Sequence, residues 1–357
     1  MTILHVVGAR PNFMKAAPVV HALRAYPGVR QVLVHTGQHY DANMSGTFFD
    51  QLGIPCPDHN LEVGSGSHAK QTAEIMMRIE TVLLTEKPDM VLVYGDINST
   101  VASTIAACKL GIRVGHVEAG LRSFDRTMPE EINRLLTDQI SDLLFTPSAD
   151  GDANLLREGV APNKIRLVGN VMIDTLVRLL PQARKPSIPN LPERFILVTL
   201  HRPSNVDDPV MLEALVRALA RTSLALPVIF PVHPRTRQKI AQFGLNEATT
   251  GLFLTEPLGY LEFLWLQRHS AVVVTDSGGI QEETTFLQIP CLTMRANTER
   301  PITCELGTNT LIGTDTVRME EEIGKILGGQ VRGGAKIPPL WDGHAGERIA
   351  AIIVRGE

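Results

Sequence analysis

Charged and hydroxyl-bearing residues in this chain recur at one kind of place, directly after short apolar runs. Arg10 and Lys15 follow "ILHVVG", Asp96 follows "VLVYG", Glu118 follows "RVGHV", His201 follows "ILVTL", His233 follows "VIFPV" and Ser277 follows "AVVVT". Carboxylates and imidazoles on one rim are equipment for acid–base chemistry. Arg10, with its bidentate fork, and Lys15, a point charge, suit a diphosphate. "GHVEAGLRSFD" sets His116 and Glu118 two apart on an extended run, facing one side, and a carboxylate before Ala-Gly at a strand end has no evident structural task.

"AVVVTDSGGIQEE" passes from four apolar residues into a turn at Asp276, Ser277, Gly278 and Gly279, with helical character from Gly279 onward. The first amides of a helix are unpaired and its dipole there is positive, while glycines let an anion approach the main chain. Ser277, Gly278 and Gly279 therefore suit a phosphate, and Glu283 suits the two hydroxyls of a ribose; together they describe a nucleotide. Each feature also has a structural counterpart. Ser277 and Asp96 are suitable helix caps, Arg10 and Lys15 suitable surface cations, and His201 and His233 suitable structural histidines. Glu130 and Arg134, at i and i+4 on a helix opening at Pro129, make a suitable surface ion pair. "GARPNFMK" is neither GxGxxG nor GxxxxGK[ST], which disfavours a dinucleotide fingerprint or P-loop there.

The elements that must position these residues alternate. The runs "ILHVVG", "QVLVHT", "MVLVYG", "RVGHVE" and "DLLFTPS" read as strands separated by helical patterns, and "RFILVTL", "LPVIFPVH", "GLFLTE", "AVVVTDSGG", "PCLTM" and "TLIGT" repeat the scheme. That alternation predicts α/β architecture with parallel sheets. The proline-dense "PQARKPSIPNLP" reads as a linker. The expected division is an N-terminal Rossmann-like domain over 1–172, a C-terminal Rossmann-like domain over 173–342 that would hold the nucleotide, and a helix over 343–357 that packs back on the first. Ligands of open α/β sheets bind beyond the carboxyl ends of the strands, which predicts a cleft site between the two domains.

At 357 residues the chain exceeds one typical core, and a formal net charge of -4 gives no general pull towards nucleic acid or an anionic membrane. Cys56, Cys108, Cys291 and Cys304 show neither disulfide-framework nor zinc spacing, and no run of 18 apolar residues or cleavable leader is evident. The expected compartment is the cytoplasm.

The ordered motifs "GARPNFMK", "YGDINST", "GHVEAGLRS", "PEEINR", "LHRPSN", "PVHP", "TDSGGIQEE" and "ERPIT" resemble those of the non-hydrolysing UDP-N-acetylglucosamine 2-epimerases, from Ile3 to about Gly313. The resemblance implies two Rossmann-like doubly wound domains of the GT-B type with the active site in the interdomain cleft. It implies interconversion of UDP-GlcNAc and UDP-ManNAc through elimination of UDP to 2-acetamidoglucal and re-addition, with no cofactor and no metal. ManNAc for cell-surface polysaccharide and a homodimer are implied as well. Carried over by position, Lys15, Asp96, Glu118, Glu130 and His201 are the catalytic set. Arg10, Arg134, His233, Ser277, Gly278, Gly279 and Glu283 bind the UDP-sugar. Two motifs depart from the common bacterial pattern: "HRPSN" stands where many members read HRRE, and "GQHYDANMS" where many read QHRE or QHRD, a region associated with a second, activating UDP-GlcNAc. A 2-epimerase of a modified sugar such as UDP-2,3-diacetamido-glucuronate, a hydrolysing epimerase, a GT-B glycosyltransferase and a non-catalytic sugar-nucleotide sensor are the competing readings.

Overall fold

Runs rich in valine, isoleucine and leucine, too short for helices, make up the two sheets of the computed structural model, which describes residues 1–37, 51–330 and 333–356. The first sheet comprises β1 (Thr2–Val7), β2 (Arg30–His35), β3 (His59–Asn60), β4 (Met90–Tyr94), β5 (Arg113–Val117), β6 (Leu143–Thr146) and β7 (Ile165–Leu167). Their spatial order is β3-β2-β1-β4-β5-β6-β7. The second comprises β8 (Ile196–Thr199), β9 (Val228–Pro231), β10 (Phe253–Thr255), β11 (Val272–Thr275), β12 (Cys291–Thr293) and β13 (Asn309–Leu311), in the order β10-β9-β8-β11-β12-β13. Every pairing is parallel, and the inner strands are buried on both faces, which is why they read as continuous apolar runs. Both orders reverse beside the first strand of their sheet, as in doubly wound nucleotide-binding folds.

All eleven apolar runs noted in the sequence are strands. The short edge strands β3 and β7 were not among them, since two or three residues of mixed polarity carry no periodicity. The first helix spans Arg10–Leu23, because Pro11 suits its first turn and Asn12 accepts from the amides of Gly8 and Ala9.

The chain divides into one compact unit formed by Met1–Leu176 with Pro339–Glu357, and a second formed by Val177–Pro338. The first division falls inside the continuous helix Val171–Leu179, and "PQARKPSIPNLP" lies within the second unit. In the first unit, the helix Ala345–Arg355 packs on the helix Arg10–Leu23. A Cβ at Gly346 would lie 2.7 Å from the Pro18 carbonyl, so only glycine allows that approach. The carboxylate of Asp174 accepts from the amides of Ala345 (3.1 Å) and Gly346 (2.7 Å), capping the returning helix. The Trp341 indole donates to the carbonyl of Pro147 at 2.9 Å.

Candidate active site

In the first unit the side chains singled out in the sequence stand at the carboxyl ends of β1, β4 and β5, which adjoin where the strand order reverses. After β4, three consecutive carbonyls are each gripped by side chains of other segments. The Tyr94 carbonyl accepts from Asn12 Nδ2 (2.7 Å) and Thr100 Oγ1 (2.9 Å), that of Gly95 from His116 Nε2 (2.8 Å), and that of Asp96 from Asn133 Nδ2 (2.9 Å). The helix that follows, Asn98–Lys109, has Ile97 at its N-cap with no side-chain cap. Asp96 is therefore not a cap; its carboxylate pairs with the buried Arg134 guanidinium. Arg134 also meets Glu131 (Nη2 to Oε2, 2.8 Å), so its ion pairs are with Asp96 and Glu131, in place of the surface pair with Glu130 that i,i+4 spacing suggested. Burial raises the Glu131 carboxyl, but the Ser123 amide and Arg134 outweigh it and hold it below the ordinary value.

Glu118 follows β5 with φ of 74°, in the left-handed region that costs a side-chain-bearing residue about 1–3 kcal/mol. It is buried and faces Lys15, whose Nζ lies 2.9 Å and 2.8 Å from its two oxygens. Gly95 leaves room for that ammonium, since a Cβ there would lie 2.6 Å from Nζ. Glu130 lies in the first turn of the helix Pro129–Ile140 and, with His68, Gln71, Asn98 and Asn133, lines a cavity of about 300 Å³. Arg10 opens the first helix on the exposed side.

In the second unit the corresponding rim follows β8, β9 and β11. His201 Nδ1 lies 3.1 Å from Asp276 Oδ1, and the amides of His201 and Arg202 and the Asn205 side chain also donate to that buried carboxylate. Burial alone would raise Asp276, but His201 and these donors hold it below the ordinary carboxylate value. His233 caps the helix Pro234–Gln242, its ring centroid 5.9 Å from that of His201. Burial and then the neighbouring His201 draw the His233 imidazole down.

Ser277 is the N-cap of the helix Gly278–Leu287 but makes no side-chain capping bond, so the cap role open to it in sequence is unused. Beside this helix start lie Arg202, Arg295 and Arg300, set against Glu282 and Glu299. Arg300 meets Glu282 at 2.7 Å and Glu299 at 2.6 Å; Arg295 meets Glu299 at 2.7 Å. Burial and then the charge of Arg295 draw the Arg202 guanidinium down, against the opposite pull of Glu299 and Asp276. Gly278 is obligatory here, because a Cβ would lie 2.5 Å from Arg300 Nη1. Further along the helix, buried Glu283 accepts from the Tyr260 hydroxyl at 2.8 Å, and burial pushes its carboxyl up to about 7.

Within each unit the structure brings the sequence-assigned residues to one rim. In the first these are Lys15, Asp96, Glu118 and Arg134, with Glu130 on the same helix as Arg134; in the second they are His201, Ser277, Gly278, Gly279 and Glu283, with His233 beside His201. Sequence reasoning missed Asp276, Tyr260 and the partners of Arg300. Asp276 was findable, being the first polar residue after β11, but nothing in spacing ties Tyr260 to Glu283. "GQHYDANMS" lies, beyond Gly37, outside the described residues.

Two doubly wound units of closely similar strand order, one with a glycine helix start beside a buried arginine cluster and the other with carboxylates set against cations, define a class: α/β proteins of the GT-B type. The chain belongs to the UDP-N-acetylglucosamine 2-epimerase family, whose sequence pattern matches residues 21–354. It is 43% identical to the UDP-N-acetylglucosamine 2-epimerase of Methanococcus maripaludis, over 98% of this chain and 97% of that one. It is 45% identical to the UDP-2,3-diacetamido-2,3-dideoxy-D-glucuronate 2-epimerase of Pseudomonas aeruginosa, over 99% and 100%. The crystal structure of Methanocaldococcus jannaschii UDP-GlcNAc 2-epimerase in complex with UDP-GlcNAc and UDP superposes with a TM-score of 0.89 at 40% identity, covering 100% of each chain.

Proposed function

We propose that the protein interconverts UDP-GlcNAc and UDP-ManNAc. The observation that carries this is the pair of carboxylates at adjacent strand ends, Asp96 and Glu118, each set against its own cation, Arg134 and Lys15. A base removes the C2 proton, the C2–H electron pair becomes the C1–C2 double bond, and the C1–O bond breaks to release UDP. Return of a proton to the opposite face of C2 and attack of the UDP oxygen on C1 complete the inversion. Asp96 and Glu118 are assigned to proton transfer at C2, with Lys15, Glu130 and His201 in the same catalytic set. The Gly278 helix start and Glu283 are assigned to the diphosphate and ribose, with Arg10, Arg134 and His233 completing the substrate contacts. Proton NMR of the protein with UDP-GlcNAc in D₂O tests the reading: UDP-ManNAc deuterated at C2 is expected, and unchanged, unexchanged substrate overturns it.

The 45% identity to a diacetamido-glucuronate epimerase favours one second reading, a modified UDP-sugar as substrate. At least tenfold higher turnover of the uronate than of UDP-GlcNAc would establish it.

Glu283 gives affinity for the substrate a pH dependence. Burial sets its carboxyl at about 7, and the ionised form is the better acceptor for a ribose diol, so binding weakens as pH falls through 7. At pH 6 about one site in eleven is ionised, and the dissociation constant of UDP-GlcNAc is expected to be about tenfold higher than at pH 8. Glu283→Gln should bind weakly and without that slope. An equal slope in wild type and variant would remove Glu283 from the ribose contact.

A homodimer is part of the proposal. Ile132, Leu136 and Ile140 are exposed at i, i+4 and i+8 of the helix Pro129–Ile140, and Met77 and Leu84 on the helix His68–Glu86; both helices pack on Asn98–Lys109. Like surfaces of this kind close on themselves about a two-fold axis. Light scattering is expected to give a dimer for wild type and a monomer for Leu136→Glu; a variant that stays dimeric moves the interface elsewhere. We place the protein in the cytoplasm, supplying ManNAc for surface polysaccharide. Cys56, Cys108, Cys291 and Cys304 form no disulfide among the described residues, in keeping with a reducing compartment, and no described helix is long and apolar enough to cross a membrane.

A further inference from the structure

The buried pair His116–Asp138 bonds to the backbone beside each of the carboxylates assigned to proton transfer, at Gly95 and at Gly120. His116 lies on β5, fully buried, with Nδ1 2.6 Å from Asp138 Oδ1 and Nε2 2.8 Å from the Gly95 carbonyl. A carbonyl can only accept, so Nε2 carries the proton that fixes Gly95 one residue before Asp96. The other oxygen of Asp138 accepts from the amide of Gly120 (3.1 Å), two residues after Glu118, and from Arg122 Nη1 (2.7 Å). Arg122 is tied in turn to Glu158. Burial raises Asp138, but the charges and hydrogen bonds of His116 and Arg122 outweigh it and keep its carboxyl below the ordinary value. It is therefore a carboxylate, and both ring nitrogens of His116 face acceptors.

Ion pairing inside a protein costs desolvation at both partners, so a buried His–Asp–Arg cluster is poor value as a pure stabiliser. What it does here is link two turns. Gly95 and Gly120 both have positive φ (64° and 80°), and they lie in the turns after the paired strands β4 and β5 that carry Asp96 and Glu118. The Gly95 amide donates to the Val117 carbonyl at 3.0 Å, so the turns also touch directly. Without His116 the central carbonyl of the three gripped after β4 loses its donor, and Asp138 is freed to turn away from Gly120. An error of about 1 Å between a reacting atom and its acid or base can cost on the order of a hundredfold in rate.

We propose that His116 and Asp138 are positioning residues for the proton transfer, fixing the Asp96 turn relative to the Glu118 turn. The inference rests on the epimerase reading. It predicts a split between chemistry and binding that a merely structural role would not produce. His116→Leu removes both hydrogen bonds at similar volume; His116→Gln retains one donor for the Gly95 carbonyl. The measurements are kcat and KM for UDP-GlcNAc, the rate of deuterium entry at C2, the dissociation constant of UDP and the thermal midpoint. For His116→Leu, kcat and the exchange rate are expected to fall about a hundredfold, with KM and UDP affinity within about threefold of wild type. His116→Gln is expected to recover at least about a tenth of wild-type kcat.

Asp138→Asn keeps the shape while withdrawing the charge between His116 and Arg122, and is expected to lower kcat in the same selective way. Wild-type exchange reports on the epimerase reading alone. If wild type exchanges and His116→Leu turns over within threefold of it, positioning is overturned and the epimerase reading stands. If kcat and UDP affinity fall together in His116→Leu, and His116→Gln offers no rescue, the pair is structural and the inference is again overturned. Absence of exchange in wild type overturns both.

Discussion

Asp96→Asn and Glu118→Gln are each expected to lower turnover of UDP-GlcNAc at least about a hundredfold, while UDP affinity changes by less than about threefold. Acid–base groups typically contribute roughly 10²–10⁴-fold to rate, and both substitutions keep side-chain size while removing the titrating group. The environments argue that the loss is chemical. Arg134 remains fixed by Glu131 when the Asp96 charge is withdrawn, and an amide at 118 still accepts from Lys15. Neither residue belongs to the unit that holds the Gly278 helix start, which accounts for the unchanged UDP affinity. Steady-state kinetics and calorimetric UDP titration of both variants check this. Turnover within tenfold of wild type in both would remove these carboxylates from the proton-transfer step.

The second large effect runs the other way. Gly278→Ala is expected to weaken UDP binding at least about thirtyfold and to raise KM more than it lowers kcat. The new methyl group would lie 2.5 Å from Arg300 Nη1 and 2.9 Å from Glu299 Oε1. Neither neighbour can swing aside cheaply, because Arg300 is also bound to Glu282 and Glu299 also to Arg295, all of them buried. The substitution therefore displaces the arginine cluster and covers the amides to which an anion is assigned. Calorimetric titration with UDP, alongside a thermal midpoint to confirm folding, measures it; an unchanged dissociation constant would move the diphosphate away from this helix start.

The architecture was largely readable from the chain, because strands buried on both faces leave unbroken apolar runs and the polar residue ending each run marks the carboxyl rim. What was not readable falls into two kinds. β3 and β7 are edge pairings of two and three residues, with too little burial to pattern a sequence. The wiring of the site is the other kind. Residues such as Arg134 offer partners at i-4 and i-3, and local spacing cannot show that Arg134 reaches back 38 positions to Asp96. Likewise "TDSGG" invited a serine cap, whereas Ser277 leaves that role unused and Asp276 organises the turn through His201, Arg202 and Asn205. Side-chain choices among competing partners are settled by which elements lie adjacent, and adjacency is a property of the sheet order.

The helix capped by Asp174 makes the first unit discontinuous, and this sets a schedule for synthesis. Everything between Val177 and Pro338 leaves the ribosome before Ala345 and Gly346 can reach their carboxylate acceptor. Until then the face of the helix Arg10–Leu23 at Pro18, which the returning helix covers, stays open to water. The inserted unit, by contrast, is contiguous in sequence and can complete its own sheet first. The unit whose synthesis begins first is thus the last to close, because it is complete only when residues 339–357 return to it.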